Sequence, residues 1–319
     1  MSKAAPVSNK KGCKLKGVQM QQVSDYVQAN FGEAEAKRLE KIRQGGDNNQ
    51  KGGAYENHYA VYRVCSIAAN DPNGDLQRYV ISSQDLAFVD DLSIKEPSLK
   101  TNYQAKNSAT NAADWTADTS KRFEMQSAID RDIYGYRENK QILLVSCPEK
   151  ARNNENKVPG PMRSYAGVEH FPYYQTPAQL IQSYQPVQDV MEGVCAEASL
   201  STLDAAFKLV LAAWVGSNGK ELSVHDLFTE AKRISKPNVF KIGESEALVP
   251  AWLEKLCTSF AGCAIRVESG NFKISYKGLE VRCDAQLLQV EPEDEILATM
   301  ASPLHLIQWA MKAMEKGLS

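Results

Sequence analysis

The sequence predicts an α+β fold: strand-like stretches early, helices through the middle, and a short antiparallel meander near the end. Three observations carry this reading. Residues 58–68 (HYAVYRVCSIA) and 76–82 (LQRYVIS) alternate, are rich in Val, Tyr and Ile, and flank the turn-forming NDPNG at 70–74, which predicts a β-hairpin. Apolar residues recur at helical spacing from Cys195 to Trp214, over 224–234 and over 245–260. Three short alternating runs, 263–268, 271–276 and 279–283, are separated by Gly270 and Gly278 and predict the meander.

Taken in order, residues 1–52 read as a basic arm and a helix. Val18, Val23, Val27 and Phe31 form a stripe that predicts a helix over 18–43, stopped by Gly45-Gly46 and followed by the polar linker DNNQKGG. Residues 53–175 read as the hairpin with long loops. The stretch 95–140 is polar and poorly periodic and is expected to be an excursion, and Gln141–Ser146 is a short buried strand ended by Pro148. Residues 150–175 combine Pro, Gly and Asn with Tyr165, Phe171, Tyr173 and Tyr174, rings that need cover. Residues 176–319 are more regular. Thr176-Pro177 supplies an N-cap and first helical residue, and Cys195–Trp214 is expected to be a central helix buried along Leu200, Leu203, Phe207, Val210, Leu211 and Trp214. Ser223 and Asp226 predict the cap of helix 224–234, and Ser302-Pro303 starts a last helix with its apolar face on Leu304, Ile307, Met311 and Met314. Residues 53–319 are equally readable as one domain.

Composition excludes several classes. The 319 residues are 43% apolar and 24% charged with a formal charge of −2, which rules out collagen, coiled coil and a mostly disordered chain. No apolar run is long enough for a membrane helix, and the Lys-containing N-terminus lacks the apolar stretch of a secretory signal. Seven cysteines without a CxxC pair point to reduced thiols, hence a cytoplasmic or other intracellular setting. The charge is uneven. Residues 1–51 hold ten basic and five acidic side chains, and Lys3, Lys10, Lys11, Lys14 and Lys16 come before any acid. Such a leader suits an acidic protein surface or a nucleic-acid backbone.

Catalytic motifs are sparse: no GxGxxG, GxxxxGK[ST], HExxH or GxSxG occurs. The sharpest feature is Gly193-Val194-Cys195-Ala196-Glu197, placed at the expected start of the central helix, where a helix dipole stabilises a thiolate. Cys195-Ala196-Glu197 resembles the first half of the motif of cytidine deaminases and deaminase-fold toxins. That resemblance implies zinc held by Cys195 and proton transfer by Glu197. The second half, Pro-Cys-x-x-Cys, is absent, and Cys257 and Cys263 are its nearest stand-ins. Alternatively His58, opening the strand-like HYAVY, looks like the His strand of circularly permuted papain-like enzymes. This implies a thiol hydrolase with Cys195 as nucleophile and His58 as base. The acidic pair Asp90-Asp91 reads as a solvated loop. With four His, no His-rich metal site is expected.

The favoured class needs no catalytic residue, cofactor or metal. The lysine leader and the two long polar, aromatic passages fit a self-assembling structural subunit of capsid, filament or nucleic-acid-coating type. Its expected partners are copies of itself and, through the leader, possible nucleic acid, but not a membrane.

Overall fold

Gly32 divides the first helical stretch in two. In the computed structural model of the protein, which describes residues 10–48, 53–71, 74–83, 86–236, 238–242, 249–268, 271–289 and 291–317, Lys10–Phe31 forms α1 and Glu33–Asn48 forms α2. Gly32 has φ +91°, a left-handed backbone that glycine adopts without steric penalty, and its N–H caps the carbonyl of Gln28. The single helix expected over 18–43 is therefore a helix pair. The linker 49–52 lies outside the described residues.

The predicted hairpin does not form. Ala54–Asn70 is a helix, α3, in which Tyr55, His58, Tyr59, Val61, Val64, Cys65 and Ala68 are buried. Spacings of three and four recur among them, and with Ala60 they leave α3 buried around most of its circumference, so the 3.6-residue period prevails over the apparent alternation of HYAVYRVCSIA. Strand β1 is shorter than expected, Val80–Ser82, and pairs antiparallel with β2, Leu92–Lys95. A tight turn closed by Glu96 N–H to Leu99 carbonyl (2.8 Å) leads into β3, Leu99–Lys106.

Residues 95–140 are not an excursion. Besides β3 they form α4 (Ala117–Asp132) and the first three residues of β4 (Glu138–Val145), which pairs parallel with β3. Thr116 and Thr119 exchange a reciprocal cap at the start of α4. Pro148 opens α5 (Pro148–Glu155), and Ala166–His170 forms β5, parallel to β4. The order β5-β4-β3-β2-β1-β6 combines a parallel βαβαβ half with an antiparallel half; β6 is Leu222–Ser223. Residues 1–60, 77–174 and 217–223 make one compact unit. Within it Val23, Val27 and Leu39 of α1 and α2 pack with Phe88, Met125 and Ile129. The aromatic passage is covered by its own chain: Phe171 lies 5.1 Å from Tyr59, and Tyr59 lies 5.0 Å from Tyr103, centroid to centroid.

The polar sequence of this region is explained inside the fold. Lys100, Asn102 and Gln104 occupy alternate positions of β3 and face Arg122, Gln126 and Asp130, which are four residues apart on α4. Asp130, fully buried, accepts hydrogen bonds from Lys100 Nζ (2.6 Å), Asn102 Nδ2 (2.6 Å), Gln126 Nε2 (3.0 Å) and Gln141 Nε2 (2.9 Å). The Lys100 ammonium also stands 4.2 Å from the Tyr134 ring centre. Polarity here marks an interior seam of paired polar side chains, centred on Asp130, and not a solvated loop.

The second unit comprises residues 61–76, 175–216 and 224–319. Thr176 caps α6 (Pro177–Ser183) as expected, its Oγ1 accepting Gln179 N–H at 3.3 Å. Helices α7 (Gln185–Val194), α8 (Leu200–Gly216) and α9 (Val224–Ile234) follow, with Leu203, Phe207, Val210 and Trp214 of α8 buried. The C-terminal module is α10 (Ala251–Ser259), the meander β7 (Cys263–Glu268), β8 (Asn271–Tyr276) and β9 (Leu279–Asp284), then α11 (Asp294–Thr299) and α12 (Pro303–Gly317). Lys277 and Gly278, both with positive φ, make the two-residue turn between β8 and β9. In α12 the burial departs from the expected face: Leu306, Ile307 and Ala310 are buried, while Leu304 and Met311 point outward. The whole is an α+β protein, and among the described residues no helix is long and apolar enough to cross a membrane.

Candidate functional site

Cys195 does not stand at a helix N-terminus. It ends α7 as its C-cap, its N–H bonded to the Met191 carbonyl, and α8 begins only at Leu200, where Ser199 Oγ accepts Thr202 N–H at 3.2 Å. The negative end of a helix disfavours a thiolate. Burial does so further: Cys195 is 2% exposed and its thiol is pushed up to about 12, with Lys241 opposing. The 193–197 segment is occupied structurally. Cys195 bridges Phe240, Ala196 N–H donates to Val239 carbonyl, and Lys241 N–H donates to Val194 carbonyl. A Cβ on Gly193 would lie 2.8 Å from the Ala69 Cβ, so Gly193 permits close approach of α3. Glu197 is exposed and ion-paired with Arg282.

His58 lies on α3 and opens no strand; burial lowers its pKa. The helix-start and strand premises behind both Cys195 readings are therefore corrected. Cys257 and Cys263 belong to the C-terminal module, and among the described residues no group of three His, Cys, Asp or Glu is placed to hold a metal ion. Lys3 lies outside the described residues. Lys10, Lys11, Lys14 and Lys16 fall on the first turns of α1, so the leader is helical from Lys10 onward.

The fold brings together a group that sequence reading assigned to a solvated loop. In open α/β sheets, ligands gather at the carboxyl ends of parallel strands, where strand order switches. Here β2 runs antiparallel to β3, so Asp90 and Asp91, just before β2, reach the carboxyl end of β3. Asp91 Oδ2 accepts Ala105 N–H (2.7 Å) and Gln104 Nε2 (2.5 Å). Arg122 donates to the Phe88 carbonyl and to Gln104 Oε1 (2.6 Å), and its guanidinium lies 3.7 Å from Asp90. Glu56 joins from the first turn of α3. Burial and then the neighbouring Asp91 and Asp90 raise the Glu56 carboxyl to about 7, and burial and Asp91 raise Asp90 to about 7 against the pull of Arg122. Burial raises Asp91 as well, opposed by the Ala105 N–H. Burial lowers the Arg122 pKa. With Glu56 and Asp90 both raised to about 7, this rim is a candidate for acid–base work near neutrality. The signal for it in the sequence is Asp90-Asp91 between two apolar runs, LAFV and LSI, which places the pair at a buried strand end.

No family model, no curated protein and no solved structure matches this chain.

Proposed function

We propose that the chain is a non-catalytic structural subunit that assembles with copies of itself. The observation that carries this reading is the outward apolar surface of the C-terminal module. Leu279 on β9 and Leu304 and Met311 on α12 are 52%, 45% and 50% exposed. Leu304 and Met311 stand two turns apart on one side of α12, and α12 packs against β9. Val267, Leu287 and Ile296 of the same module are exposed as well, so six of the eleven exposed large hydrophobic side chains among the described residues fall in it. Scattered exposed leucines need no explanation, but this concentration in one module is typical of an interaction face. Covering the exposed half of each of Leu279, Leu304 and Met311 contributes roughly 1 kcal/mol per side chain, enough for a weak repeating contact. The lysine-rich leader supplies a second contact, to an acidic neighbour or to nucleic-acid phosphates.

Light scattering of the full chain at tens of micromolar tests this. The expected mass is a multiple of 35.3 kDa that falls toward one chain in Leu304→Lys/Met311→Lys. A wild-type chain that stays at 35.3 kDa at every concentration overturns the proposal. Salt-dependent retention on immobilised DNA or RNA, lost when Lys10, Lys11, Lys14 and Lys16 become Gln, separates a nucleic-acid coat from a protein-only assembly.

A further inference from the structure

The two cysteines that stood in for half of a zinc motif lie together in the C-terminal module for another reason. Cys257 sits in the last turn of α10 and Cys263 opens β7. Two consecutive backbone bonds fold the segment between them: Phe260 N–H to Cys257 carbonyl (3.2 Å) and Cys263 N–H to Phe260 carbonyl (3.0 Å). Gly262, at φ +78°, completes the reversal. The reversal brings the two thiols close enough to interact, Cys263 contributing to the raised pKa of Cys257 and Cys257 lowering that of Cys263 in part. Their surroundings differ. Cys257 is 2% exposed within the core of Phe272, Ile274 and Leu306, whereas Cys263 is only half-buried at its edge.

We propose that Cys257 and Cys263 form a redox-active dithiol that closes to an intramolecular disulfide under a low-molecular-weight disulfide oxidant. Cys263 is the attacking thiol, because it is the one solvent reaches. Burial raises its pKa, but the hydrogen bond from Cys257 lowers it in part. Cys257, pushed up to about 12 by burial, waits as the resolving thiol. Cys263 gives its proton to solvent, and its thiolate attacks one sulfur of the oxidant. The Cys263–S bond forms, the oxidant's S–S bond breaks, and one small thiolate leaves. Cys257 then gives up its proton and its thiolate attacks the Cys263 sulfur, displacing the second small thiolate. The protein is oxidised by two electrons and loses two hydrogens; the oxidant is reduced to two thiols. The reversal holds the two thiols near each other, which makes the second step fast, so the mixed disulfide does not accumulate. The other described thiols lack this arrangement of one reachable and one resolving sulfur. Cys65, Cys195 and Cys283 are fully buried, and Cys147 stands alone on its loop among the described cysteines.

Oxidised glutathione, added to the full chain at mildly alkaline pH, tests this by peptide mass. Both cysteines lie on one tryptic peptide, Leu256–Arg266. The expected result is that this peptide becomes lighter by two hydrogens, carries no glutathione and no longer takes iodoacetamide, with reversal by dithiothreitol. Cys257→Ser is expected to trap glutathione on Cys263, and Cys263→Ser to leave Cys257 reduced. Near-ultraviolet circular dichroism of both variants checks that they fold. Recovery of the wild-type peptide with both thiols alkylated, or with glutathione retained on Cys263, overturns the proposal.

Discussion

Replacing Asp130 by Ala removes the acceptor at the centre of the interior seam. The carboxylate is fully buried, and its partner Lys100 keeps only 2% of its side chain exposed. In Asp130→Ala the Lys100 ammonium stays buried beside the Tyr134 ring without a counter-charge. Breaking a buried pair in this way costs about 3–5 kcal/mol. The amides of Asn102, Gln126 and Gln141 lose the same acceptor, and each unsatisfied donor adds about 1 kcal/mol or more unless it repacks. Adding Lys100→Met should recover the charge part of the loss but not the amide part. The double variant is then more stable than Asp130→Ala alone, with a coupling of about 2 kcal/mol, within the range for residues in direct contact. Because the chain has two compact units, native-state hydrogen exchange of the β3 and β4 amides is the proper assay; it reports this sheet and not the other unit. A loss below about 1 kcal/mol in Asp130→Ala, or strict additivity with Lys100→Met, refutes the seam as a coupled network.

The Glu56–Asp90–Asp91 rim gives a pH dependence of defined sign. Glu56 and Asp90 titrate at about 7 in the fold, against about 4 in an unfolded chain. Between these values the folded state holds protons that the unfolded state has lost. Stability of the sheet unit therefore falls as pH rises through this window and levels off above it. Glu56→Gln with Asp90→Asn should flatten the decline, read as urea midpoints from about pH 5 to about pH 8; parallel wild-type and variant curves contradict the assignment. Gly193→Ala, despite the better helix propensity of Ala, is expected to destabilise by about 1–3 kcal/mol, because its Cβ meets the Ala69 Cβ at 2.8 Å. The compensating Ala69→Gly should recover most of that loss in thermal unfolding; a neutral Gly193→Ala denies the tight contact.

What the sequence determined by itself is what short-range rules decide. Helix 224–234 followed from its period, and the start at Ser302-Pro303 from a cap, Ser302 Oγ accepting His305 N–H. The meander followed from alternation and from Gly278 at a turn, where its positive φ suits glycine; Gly270, the other expected turn glycine, lies outside the described residues. Long-range partners decided the rest. HYAVYRVCSIA satisfies both a two-residue and a 3.6-residue period, and the burial of consecutive residues His58, Tyr59, Ala60 and Val61, which a strand alternating between two faces does not require, goes with the helix. Residues 95–140 look solvated because Lys100, Asn102, Gln126 and Asp130 are polar; nothing local tells that Asp130 gathers Lys100, Asn102 and Gln141 from two strands, and Gln126 from its own helix, inside. Asp90 and Asp91 become a site only because an antiparallel β2 carries them to the carboxyl end of β3. Cys195 loses its helix N-terminus because Ser199, four residues later, caps α8 instead. Periodicity and turns are properties of neighbours in the chain; burial, charge pairing and strand order are properties of neighbours in space.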